Sequence, residues 1–155
     1  MDELARLLSR ERLVLELVVF RLVELRQLLA AGEARFLPAA AADVEHALAD
    51  LRTVELRRAV VVNRLAAAAG VADDQLSLRA LAGIAPRPYA GILTEHRRAL
   101  QLLAAEMQAT VAACGELSAD GAAFVAEVLR QVTDRRGAEH RLAGVPDRPV
   151  LASGS

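Results

Sequence analysis

The chain has 155 residues, room for one ordinary domain, and 54% of them are apolar, enough to build a core. Aromatics are only 3% and Trp is absent; Leu, Val and Ala carry the hydrophobicity, a mixture that with Glu and Arg suits long helices rather than sheets. The 19 basic residues, all Arg, nearly cancel the 20 acidic ones, so no global field attracts nucleic acid, and the aromatic platforms that stack bases are missing.

The first segment is apolar at Leu4, Leu8, Leu15, Val18, Leu22, Leu25 and Leu29, with Glu11 the one exception in a seam of alternating four- and three-residue steps. That spacing predicts a helix of about 28 residues with a heptad seam. A second set, Leu7, Val14, Leu17, Phe20 and Leu28, widens the stripe beyond what one neighbour can cover. Ten of the thirteen residues from Leu13 to Leu25 are apolar. A membrane is not the expected cover, because a spanning helix needs about 20 mostly apolar residues. Glu11, Glu16, Arg21 and Glu24 interrupt this one, and a charge at the bilayer centre costs roughly 2.5–3.5 kcal/mol. The opening "MDELARLLSRER" has no signal-peptide pattern, so the expected location is the cytoplasm.

Gly32 punctuates, and a second helix is expected to start between Glu33 and Ala39, with Pro38 in its first turn, where a missing N–H does no harm. Its seam runs Ala40, Val44, Ala47, Leu51, Val54, Arg58, Val61, Leu65, Ala68, and Gly70 fits the position just past its end. In an antiparallel hairpin turning near residues 34–35, the two seam exceptions Glu11 and Arg58 fall at one level. Two readings follow: they pair across the interface, fixing register more than adding stability, or both snorkel to solvent at the seam edge.

Ser77 is a cap for a short connector helix through about Gly83, and "APRP" enforces a non-helical joint. The last long segment starts near Tyr89 with the seam Leu93, His96, Leu100, Leu103, Met107, Thr110, Cys114, Leu117, Gly121, Phe124, Val128, Gln131. The phase survives "CGELSADG", so the preferred reading is one helix to about Val132; Gly115, Ser118, Asp120 and Gly121 favour instead a kink or break. The tail from residue 133 to 155 loses the period, gains Gly, Pro and Ser, and is expected to be disordered. The expected fold is all-α: an elongated antiparallel hairpin, a short connector helix and a long C-terminal amphipathic helix, forming one domain over residues 1–132.

No convergent catalytic set is visible. His46, His96 and His140 are scattered, and Glu95–His96 and Glu139–His140 lack the spacing of a di-iron bundle. His96, on the seam, reads as a half-buried packing residue. Cys114, the single cysteine, reads as a small apolar helix residue in a reducing compartment. "AGIAPRPYAG" follows no strand and is no phosphate loop. The carboxylates of Glu16, Glu24, Glu45 and Glu55 fit solvated helix faces. No enzyme, metal or cofactor is expected. What remains is apolar surface: Phe124, Val125, Val128, Leu129 and Val132 share a broad face near the end of the chain. That face either packs on the first two helices or forms a strip for a partner helix.

The runs "LLSRERLVLELVVFRLVELRQLLAAGE", "FLPAAAADVEHALADLRTVELRRAVVVNRLA", "LSLRALAGIAP" and "LLAAEMQATVAACGELSADGAAFVAEVL" resemble the FlgN family of flagellar export chaperones, over about residues 3–132. The order of helices and the Leu/Glu/Arg-rich hairpin carry the likeness. Family members often have Asn before the last apolar turn, where this chain reads Cys114, Gly115, Ser118, Gly121. The resemblance implies a cytoplasmic chaperone for a flagellar type III export system, with a C-terminal amphipathic helix that engages clients. Those clients would be the hook–filament junction (hook-associated) proteins, bound at their helical ends, kept unassembled and handed to the export gate. It implies no nucleotide or metal. A different class of function, a helical adaptor that self-associates or binds a partner helix without an export role, uses the same seams.

Overall fold

The computed structural model describes residues 1–70, 77–118 and 125–131. Helix α1 spans Asp2–Ala30, with Asp2 and Glu3 in its first turn, where carboxylates complement the positive helix end. Its far end is closed by the two backbone bonds of a Schellman turn, Gly32 N–H to Leu29 and Glu33 N–H to Leu28. Gly32 takes φ 69° there, a conformation that a Cβ would strain. One 3₁₀ turn, Ala34–Phe36, leads into α2, Leu37–Ala69, with Pro38 in the first turn. Gly70 ends α2 at φ 65°, ψ 27°.

Seven of the eight predicted seam positions of α1 are buried, Glu11 among them. On α2, Val44, Ala47, Leu51, Val54 and Val61 are buried from the predicted seam. Ion pairs mark the antiparallel register: Glu3 with Arg64 at 2.8 Å, Glu11 with Arg58 at 2.9 Å, and Arg21 with Asp43 at 3.6 Å. The middle pair is turned inward, its side chains 6% (Glu11) and 13% (Arg58) exposed. Its Nε and Oε2 meet at ion-pair distance without the alignment of a hydrogen bond.

Ser77 Oγ accepts from the Ala80 N–H and caps α3, Leu78–Ile84. Ala85 is extended, and α4 then runs Tyr89–Leu117. It lies parallel to α1: Tyr89 donates to Asp2, and Ser9 Oγ lies 3.3 Å from His96 Nε2, at the same sequence offset. Helix α1 is thus central, with α2 along one flank and α4 along the other, while α2 and α4 hardly approach each other.

The expectation of one continuous helix to Val132 is not met. Helix α4 stops at Leu117, and Ser118 Oγ turns back to the Gly115 carbonyl, offering the backbone a local partner in place of the next helical turn. Residues 125–131 are again helical. In a straight helix residues 115 and 129 would stand about 21 Å apart. Instead, a Cβ on Gly115 would lie 3.9 Å from Leu129 Cδ1. The chain therefore folds back on α4.

The core falls into two clusters. One joins the second half of α1, the first half of α2 and Met107 of α4 to Val125 and Val128. The other joins Leu4 and Leu8, Val61 and Ala66, and Leu93 to Leu81 of α3. The trough between α2 and α4 is thus filled by a short helix at each end, and the Glu11–Arg58 pair lies at the level where one cluster gives way to the other.

Glu11→Leu leaves Arg58 buried opposite a hydrocarbon, a loss expected to cost about 3–5 kcal/mol, and Glu11→Leu with Arg58→Met should recover most of it. Urea denaturation followed by circular dichroism measures both. Gly115 gives a second check, on the fold-back. Gly115→Ala should stabilise α4 by about 0.5–1 kcal/mol, whereas Gly115→Leu should destabilise by pushing Leu129 away. Equal stabilisation by both would mean that nothing packs there.

Candidate partner-binding site

The face expected to bind a partner is divided by its location. Val125 and Val128 are fully buried, and Leu129 packs, half-buried, on the same cluster. Phe124 and Val132 lie outside the described residues, as do the boundary at 132 and the tail. Of the side chains expected to receive a client helix, Val125, Val128 and Leu129 thus pack into the trough themselves, against α1, α2 and Met107.

The hold on this segment is light. Burying an aliphatic side chain is worth ~1.5–3 kcal/mol, and the described part of the segment buries two valines fully and one leucine in part. Fixing a backbone costs ~1–2 kcal/mol per residue. The described part of the docked helix is therefore held by few side chains.

Between its two plugs the trough is shallower. On α4 no residue from 94 to 106 is fully buried; Leu100 and Leu103 are half-buried, and Leu100 touches both clusters. The floor at this level is the Glu11–Arg58 pair. Apolar side chains and one charge pair thus line the trough at this level.

Two further titratable groups, Cys114 and His96, lie on the packed side of α4. The Cys114 thiol points at the Leu22 carbonyl, 3.7 Å away, and burial raises its pKa, which keeps it protonated and unreactive. Burial lowers the His96 pKa, opposed by Glu95 and aided by Arg12. Its neutral form is favoured in the fold, so it costs stability as pH falls below 6.5. Among the described residues no group of His, Cys, Asp and Glu is placed to hold a metal ion, and no helix is long and apolar enough to cross a membrane.

One feature of the surface was hidden in the sequence. The Leu13–Leu25 stretch is covered by α2 and α4 on its flanks, yet Leu13, Leu17 and Phe20 remain open on the outer face of α1. Their signal lay in the spacing: Arg6, Arg10, Leu13, Leu17, Phe20, Glu24 and Gln27 form a second seam of four- and three-residue steps.

Neither a curated protein nor a solved structure matches the chain. The family described as FlgN protein matches residues 1–141, nine residues beyond the end at 132 that the resemblance gave. That match takes in every described element, the α1–α2 hairpin, the connector helix, α4 and the returning 125–131 helix, and the chain belongs to the FlgN family.

Proposed function

We propose that this protein is a cytoplasmic flagellar export chaperone whose clients are the hook–filament junction (hook-associated) proteins. It binds their C-terminal helical segments, keeps them from assembling early and delivers them to the type III export gate. Family membership supports the class of activity. The observation that carries the site is the short, lightly held 125–131 helix, with Val125 and Val128 seated in a trough that an amphipathic helix fits.

In this reading the segment exchanges between two partners. In the free chaperone it covers the trough. With a client present, the face of Phe124, Val125, Val128, Leu129 and Val132 pairs with the client's helix, and the trough edge takes part of the contact. An interface of about 1,000 Å² lies at the low end of specific contacts. Reordering the segment uses part of the gain, so the complex stays reversible. A carrier that must release its load at the export gate needs that reversibility. No nucleotide or metal takes part.

A tagged pull-down from the native lysate, run with the full chain and with a chain ending at Ser118, tests the reading. The full chain should retain a flagellar junction protein and the shorter one should lose it. Val128→Asp should weaken capture while leaving the helical content of the hairpin nearly unchanged. Global unfolding by this substitution would reduce the segment to ordinary core, and recovery of the chain alone would favour a self-associating adaptor.

A further inference from the structure

We infer that two copies of this chain pair through the outer face of α1, antiparallel, about a two-fold axis beside Leu17. The inference does not rest on the client-binding reading, because it uses the opposite side of α1.

Three large apolar side chains stand open in a row on that face: Leu13 at 58%, Leu17 at 40% and Phe20 at 53% exposure. They occupy the middle of the seam Arg6, Arg10, Leu13, Leu17, Phe20, Glu24, Gln27, whose steps are four, three, four, three, four, three. Such an exposed heptad seam has the form of a helix-pairing surface. The inner seam of α1 is already used against α2 and α4, and among the described residues the outer one is left open.

The order of residues selects a second copy. Laid antiparallel on itself about a point just before Leu17, the seam matches at every level to within half a residue. Leu17 meets Leu17, Leu13 meets Phe20, Arg10 meets Glu24, and Arg6 meets Gln27. A two-fold contact requires this kind of self-complementarity, in which each patch is its own partner. Charge agrees with shape. Arg10 is exposed and makes no ion pair among the described residues. At the other end, Arg21 holds Glu24 at 2.7 Å, approaches Asp43 at 3.6 Å and lies over the Phe20 ring at 5.6 Å. That cluster carries two carboxylates against one guanidinium, and in the pair it faces the unpaired Arg10 of the other copy. A parallel arrangement would set Arg10 against Arg10 and Glu24 against Glu24, which repel. A contact of this length is small, roughly 1,200 Å² at most, so the pair should dissociate on dilution.

Sedimentation of the full chain across a dilution series tests the pairing. A monomer–dimer equilibrium is expected, and Leu17→Glu should leave a monomer at every concentration with unchanged helical content. Arg10→Glu and Glu24→Arg should each weaken the dimer roughly tenfold, and the double exchange should restore it. In a Cys114→Ala background, Leu17→Cys should form a disulfide-linked dimer on mild oxidation. Leu13→Cys should not, because its two copies would sit about 11 Å apart along the axis, beyond the reach of a disulfide at about 7 Å between Cα atoms. A chain that is monomeric throughout, a dimer that survives Leu17→Glu, or a double exchange without rescue would each overturn the pairing. A monomer in which Leu17→Glu abolishes capture of a flagellar client would assign the face to the client instead.

Discussion

Helix α1 carries more apolar surface than one neighbour can cover, and the architecture answers that constraint. Val14 and Val19 extend its buried arc to either side of the seam, so α2 alone cannot close it. The chain supplies α2 antiparallel on one flank and, after the connector, α4 parallel on the other. Because those two hardly touch, a trough runs between them along the length of α1. Short helices then fill it at each end, α3 through Leu81 and the 125–131 segment through Val125 and Val128.

The buried ion pair divides this arrangement. Charges of opposite sign at the boundary between two apolar clusters add little net stability, since desolvation offsets their attraction. Their effect is on register. A hairpin slipped by one heptad would face Glu11 and Arg58 with hydrocarbon, leaving two charges buried apart. The long seams of Leu, Val and Ala on α1 and α2 would otherwise tolerate such a slip, because their residues resemble one another at every turn.

Much of this fold is legible in the sequence because its determinants are local. The four–three steps give the buried faces of α1 and α2, Gly32 and Gly70 give their ends, and Ser77 and the proline joint bracket α3. The level of Glu11 with Arg58 follows from counting out from the turn. The fold-back after Ser118 is less legible, since the apolar phase of α4 continues through "CGELSADG" as though no turn intervened. Periodicity reports which side of a helix is apolar and is silent on whether the axis reverses. The same silence covers the site: Val125 and Val128 read as one apolar face, but their seat in the trough depends on contacts with α1 and α2 far away in the chain. The open row at Leu13, Leu17 and Phe20 escaped for a related reason, because the count of apolar residues does not say how many neighbours will arrive.

The parallel partnership of α1 with α4 also sets an order of events at the ribosome. The hairpin is complete once about residue 70 has emerged, but the second flank of α1 has no cover until α4 has been made, through Leu117. At ~5–20 residues per second, the nascent chain holds a helical hairpin with one side of its greasiest helix bare for a few seconds. During that interval the unfinished protein has the same need for an apolar helix that its trough presents when complete. Translation speed across the connector and α4 therefore bears on yield, and slowing there lengthens the time in which nascent hairpins can find each other instead of their own last helix.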